Sequence, residues 1–169
     1  MKLDTRKLAI SAMLITLDVL FTRMLAINTP VMKVGFGFAA VAISGLLYGP
    51  LWAMLTAALG DLVGSIIFPV GPFFPGFTLT AALTGLVFGL LIYKKQGSVW
   101  RPVLASFLNC LFITLFANTA LIAYISGADF GTLFVTRIVQ FFIMFPVQSV
   151  VLIWLSKSRL MQLISERYT

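Results

Sequence analysis

The chain has 169 residues, of which 60% are hydrophobic and 10% charged, with a formal net charge of +7. Soluble domains carry about 25% charged residues, so this much polar surface cannot cover a core in water, and the natural solvent for most of the chain is lipid. At about 20 residues per spanning helix, the length holds six spans and leaves no room for a soluble catalytic or nucleotide-binding domain.

In chain order, Met1 to Lys7 is basic and runs into an apolar stretch, as a signal peptide does, but no small-residue cleavage site follows. A retained first helix is therefore expected, from Thr5 to Ile27, ended by Asn28-Thr29-Pro30 because proline cannot continue the hydrogen-bond ladder. A second, short helix covers Val34 to Tyr48 and stops at Gly49-Pro50, and a third covers Leu51 to Phe68. The loop from Phe68 to Gly76 holds three prolines and two glycines. A fourth helix covers Phe77 to Tyr93, a fifth Val103 to Ile125 and a sixth Phe130 to Leu155, and a short amphipathic tail ends at Thr169. Strand-like alternation is absent, so the expected fold is an all-α integral membrane bundle of six spans, a single domain over residues 1–169.

Nine of the twelve basic residues fall near the two termini or between the fourth and fifth helices. An even number of spans places those regions on one side, and the positive-inside bias makes that side the cytoplasm, with both termini there. The same distribution explains the net charge without nucleic acid. Arg23, Lys33 and Arg137 break the bias. At about 1.5 Å per residue, Arg137 lies roughly 10 Å into the last helix from its outer end. Arginine within a span faces a bundle interior or a wet cavity, and three cations near the outer side point to an anionic ligand. Snorkelling at the interface is the other reading for Arg23 and Lys33.

Asp18 and Asp61 lie past the middle of the first and third helices. Each either pairs with Arg23 or Arg137 or, for Asp61, accepts from a ligand N–H edge. Asn109, Asn118, Gln140 and Gln148 place amides in the last two helices. Gln140 shares a face with Arg137, three residues before it, and Asn118 lies at a comparable depth. Hydrogen bonding between helices is the default role of such amides. Phe73, Phe74 and Phe77 beside the proline-rich loop can stack on a flat ring or form an interfacial aromatic cluster. On the first helix, Ala9, Ala12 and Thr16 are small residues at helical spacing, a packing face for another helix or a separate subunit.

Other chemistry is excluded. Histidine is absent, which removes the commonest general base and metal ligand. Cys110 is the one cysteine, so it forms neither an intramolecular disulfide nor a cysteine metal framework. The lone G-x-G at Gly35 and Gly37 lacks the third glycine and the GK[ST] ending of nucleotide-binding loops. No Walker A, G-x-S-x-G or H-E-x-x-H motif is present, so neither a hydrolytic enzyme nor a self-powered pump is expected.

Several segments together resemble the S component of energy-coupling factor (ECF) vitamin transporters, specifically its folate family. They are the Arg23 region with Ile27-Asn28-Thr29-Pro30 and Lys33, Gly45-Leu46-Leu47-Tyr48-Gly49-Pro50, Gly60-Asp61, and Gly71-Pro72-Phe73-Phe74-Pro75-Gly76-Phe77-Thr78-Leu79. The last run is the most specific, and it brings Thr78 into the binding set. The resemblance implies a six-helix subunit of a bacterial plasma membrane that captures folate at the outer face. It implies a transmembrane coupling protein and two cytoplasmic ATPases as partners, with ATP used by them and no cofactor in this chain. It also implies that small residues of the first helix meet the coupling protein; the family's two alanines four apart are here Ala9 with Met13, or Ala12 with Thr16. Under that reading Arg23, Lys33 and Arg137 compete for the glutamate carboxylates. Asp61 or the amides read the pterin edge, and Phe73 and Phe74 stack or cover. An S component for riboflavin or thiamin, and a small membrane scaffold or enzyme, are the alternatives.

Overall fold

The computed structural model describes residues 5–28, 33–69, 73–94 and 98–158. Helix α1 spans Thr5–Val19 and continues as a π-helical turn, Leu20–Met24. Helices α2, α3 and α4 span Gly37–Tyr48, Pro50–Ile67 and Pro75–Ile92. Helix α5, Trp100–Leu108, passes through a π-helical segment, Asn109–Ala117, into α6, Asn118–Ser126. Helix α7 spans Phe130–Lys157. The one exception to helix among the described residues is a short antiparallel pairing of β1, Ile27–Asn28, with β2, Lys33–Val34. Asn28 stands opposite Lys33, and Ile27 opposite Val34.

Four of these runs are long and apolar enough to cross a membrane: Pro50–Ile67, Pro75–Ile92, Trp100–Ser126 and Phe130–Lys157. Helix α2 is apolar but shorter. The fifth helix begins at Trp100 rather than Val103, and two boundaries around the first loop also move. The first helix stops at Met24 rather than Ile27, and the second begins at Gly37 rather than Val34, because the residues between them satisfy their backbone groups by pairing with one another. This also explains why α2 is short. The turn at Gly49-Pro50 falls as expected: Gly49 takes φ +91°, where a Cβ is disfavoured, and Pro50 opens α3 at a position where its missing N–H costs nothing. Asp129 caps α7 by accepting from the Thr132 N–H at 3.0 Å. Pro146 lies inside α7, and the helix runs on through it despite the backbone donor that proline lacks.

The bundle has a sealed end and a hollow end. The densest part of the buried apolar core draws on Leu46 late in α2, Ala53 early in α3, Phe88 and Ile92 late in α4, Ala105 in α5, and Leu152 and Leu155 late in α7. All of these lie toward the same end, where the Gly49-Pro50 turn sits. Glycines on α4 allow this density. A Cβ on Gly85 would strike the carbonyl of Ala53, and one on Gly89 would strike the Cα of Pro50. Gly45 of α2 meets the backbone of Gly89 from the other side, with a built Cβ 3.2 Å away. Small residues let membrane helices approach this closely, where dispersion rather than water drives association. The three tryptophans, Trp52, Trp100 and Trp154, stand on helix segments of this sealed end, and Trp100 and Trp154 are highly exposed. Large apolar side chains such as Ile66, Leu79, Phe142 and Val150 face outward, as lipid-facing residues do.

Gly85→Val is expected to destabilise the protein by about 1–3 kcal/mol, because the added methyl groups overpack the α3–α4 contact. A thermal unfolding curve of the detergent-solubilised variant checks this through a lowered midpoint.

Candidate functional site

At the hollow end the helices part around a cavity of about 750 Å³. Ligand pockets for drug-sized molecules fall at about 300–1,000 Å³. Each traverse of the bundle contributes to it: the close of α1 and its π turn, the start of α2, the second half of α3, the first half of α4, the π segment with α6, and α7 from Arg137 to Gln148. The chain therefore runs up and down, and Thr5 and Lys157 begin and end their helices away from the cavity.

The two described arginines of the cavity are held differently. Arg23, on the π turn after α1, donates through Nη2 to Oδ1 of Asp61 on α3 at 3.2 Å. The other carboxylate oxygen of Asp61 accepts from the Thr78 hydroxyl of α4 at 2.9 Å. Arg137 of α7 is 5% exposed and donates through Nη1 to the carbonyl of Thr114 at 3.3 Å. Among the described residues no carboxylate pairs with it, and its Nε has no acceptor. Thr114 belongs to the π-helical segment, a geometry that recurs at functional sites.

Below the arginines lies a neutral polar layer. Asn109 donates through Nδ2 to Oε1 of Gln148 at 3.1 Å, and the same oxygen lies 3.2 Å from the Cys110 thiol. Thr84 donates to Asn109 Oδ1 and Thr80 to Asn118 Oδ1, each at 2.8 Å. These bonds tie α4, the π segment, α6 and α7 together while their residues line the cavity. Asp18 is buried against the start of α2, where a Cβ on Gly37 or Gly60 would strike its carboxylate. A helix N-terminus favours an anion at such a place. The mouth is aromatic: the Phe74 ring meets Phe77 edge-on at 6.5 Å and Tyr124 at 6.2 Å, and Phe73 is half exposed.

The model of the family described as ECF transporter, substrate-specific component, matches residues 6–156. This chain belongs to that family. Among curated proteins, the S component is 43% identical over 141 residues to the "Folate transporter FolT" of Clostridium novyi, covering 83% of this chain and 82% of that one. It is 37% identical over 153 residues to the protein of the same name from Leuconostoc mesenteroides, covering 87% and 82%. A solved structure titled "Crystal structure of FolT bound with folic acid" superposes with a TM-score of 0.86 at 32% identity, covering 90% of this chain and 93% of that one.

Of the residues expected at the site of this S component, Arg23, Asp61, Phe73, Phe74, Asn118, Arg137 and Gln140 all line the cavity. Thr78 does not line it but stands behind Asp61. Lys33 lies in β2, and its side chain falls outside the described residues, as do Thr29-Pro30 and Gly71-Pro72 of the resemblance. Sequence reasoning missed Thr80 and Thr84, whose hydroxyls orient the amides, and gave Asn109 and Gln148 helix pairing as their default role. The G-x-G at Gly35 and Gly37 is a packing device. A Cβ on Gly35 would come within 2.8 Å of the Ala26 Cβ, and Gly37 makes room for Asp18.

Replacing Asn109 and Gln148 by alanine, singly and together, is expected to show a coupling of about 0.6–1.7 kcal/mol, the range seen for hydrogen bonds between membrane helices. A double-mutant cycle of unfolding free energies measures it.

Proposed function

We propose that this chain is the folate-binding S component of an ECF-type ABC importer. The observation that carries the reading is Arg137: a buried guanidinium, unpaired with any described carboxylate, in the wall of a cavity that also offers amides and aromatic rings. A buried charge of this kind calls for an anion. Folate joins a flat pterin, an aminobenzoyl ring and a dianionic glutamate. Two close relatives in the family are named folate transporters, and the superposed structure is titled as holding folic acid.

The depth of the groups favours one orientation. Helix rise puts Arg137 about 10 Å from the start of α7 and Gln148 about 27 Å from it, so the amides form the floor. The pterin, rich in adjacent donors and acceptors, matches the floor of Asn109 and Gln148, with Gln140 and Asn118 higher in the wall. The glutamate then reaches Arg137 and Arg23, with Lys33 as a third candidate, and Phe73 and Phe74 cover the rings at the mouth. Asp61 already serves Arg23 and Thr78, so the amides read the pterin edge in this account. A cationic ligand such as thiamin has no match to Arg137, and neutral riboflavin would leave that arginine buried without a counter-charge.

The protein works as six spans with both termini in the cytoplasm of a bacterial plasma membrane. Nine of twelve basic residues belong to segments that lead to the sealed end, so that end faces inward and the cavity outward. Transport energy comes from a coupling protein and two ATPases, with no cofactor held by this chain. Ala9, Ala12 and Thr16 lie exposed along α1, with the Thr16 hydroxyl turned back to the Ala12 carbonyl at 2.9 Å, which leaves a small-residue face for a partner helix.

Titration of the purified protein with folate and with pteroate, which lacks the glutamate, tests the reading. Arg137→Ala is expected to weaken folate by about 2–5 kcal/mol, about 30-fold or more in Kd, and pteroate by much less. Equal losses for both ligands would remove the charge assignment, and no folate binding by the wild type would remove the function.

A further inference from the structure

One cavity holds two arginines of unequal standing. The Arg23 guanidinium is neutralised by Asp61, and Thr78 fixes the far oxygen of that carboxylate, so the π turn of α1, α3 and α4 meet in a single clamp. The arginine also lies close on the backbone of α3: a Cβ built on Gly64 would stand 3.0 Å from its Nε. Both partners are largely withdrawn from solvent, with side chains 11% and 18% exposed. Attraction between charges is stronger where water is excluded, so this pair is not readily given up to a ligand. Arg137 has no such partner among the described residues.

We propose that Asp61 is a specificity-determining positioning residue, which neutralises Arg23 and thereby sets how much negative charge the cavity accepts in a ligand. The proposal rests on the folate reading and adds to it a division of labour. Arg137 supplies the unspent positive charge. Arg23 presents N–H donors at a fixed position with little net charge. A cavity with both arginines unpaired would draw in ligands of higher negative charge, such as folates that carry additional γ-linked glutamates. Asp61 holds that preference down.

The test uses full-length protein in detergent and three ligands that form a charge series: pteroate, folate and folyl-diglutamate. The readout is the ratio of Kd values between them, which a merely structural role for Asp61 would leave unchanged while weakening all three alike. Asp61→Asn keeps the shape and one acceptor oxygen but frees the charge of Arg23. It is expected to raise the preference for folate over pteroate, and for folyl-diglutamate over folate, about tenfold, with the gain shrinking as salt is added. Asp61→Glu should keep the wild-type ratios. In an Arg23→Gln background, Asp61→Asn should no longer move them. Unchanged ratios in Asp61→Asn, or a shift that persists without Arg23, overturns the proposal. If Asp61→Asn does not fold, Thr78→Val decides: it loosens the carboxylate and should move the ratios in the same direction by a smaller factor, and no movement overturns the proposal. A wild type that binds none of the three ligands instead overturns the folate reading itself.

Discussion

The hollow half of this bundle depends on how closely α4 approaches α3 and α2 in the other half. Gly85 lies on the Ala53 carbonyl, Gly89 on Pro50, and Gly45 on Gly89. In lipid, apolar side chains gain nothing from leaving the solvent, so contacts at this range must supply the cohesion. Once the helices are clasped at one end, divergence toward the other opens a space that the chain fills with polar groups. The cavity follows from where the glycines stand.

Polar groups in that space do two things at once. Thr84 bonds Asn109, Asn109 bonds Gln148, and Thr80 bonds Asn118, all across helices, and all five residues also face the cavity. A buried amide left alone is costly, and a network in which each member has a partner holds its remaining donors and acceptors in fixed directions. The same logic separates the charged groups. Arg23 is held by an acid from a neighbouring helix, whereas Arg137 reaches a carbonyl that belongs to a π-helical stretch. One cation is paired with an acid, and the other has no carboxylate partner among the described residues.

Much of this was legible in the sequence. An arginine deep in an apolar helix has few reasons to exist, so Arg137 stood out by cost, while Arg23 was open to interfacial snorkelling as well. Gly49-Pro50 marked a turn because both residues have strict backbone demands. Other features left no trace in composition or period. Threonine is compatible with a lipid-facing helix, so Thr80 and Thr84 gave no sign of which amide each would bond. A π-helical segment such as Asn109–Ala117 keeps an apolar sequence and changes only the hydrogen-bond step, which hydropathy cannot register. The pairing of Ile27–Asn28 with Lys33–Val34 is too short to show an alternating pattern.

The placement of the tryptophans has a practical side. Trp52, Trp100 and Trp154 all belong to the sealed end, and none lines the cavity. The tryptophan emission of the protein therefore reports on the sealed end, while the cavity has no tryptophan of its own. A ligand that alters that emission acts from a distance of roughly a helix length, by energy transfer or by shifting the clasp. A tryptophan introduced at Tyr124, beside Phe74 at the mouth, would give the hollow end a fluorophore of its own.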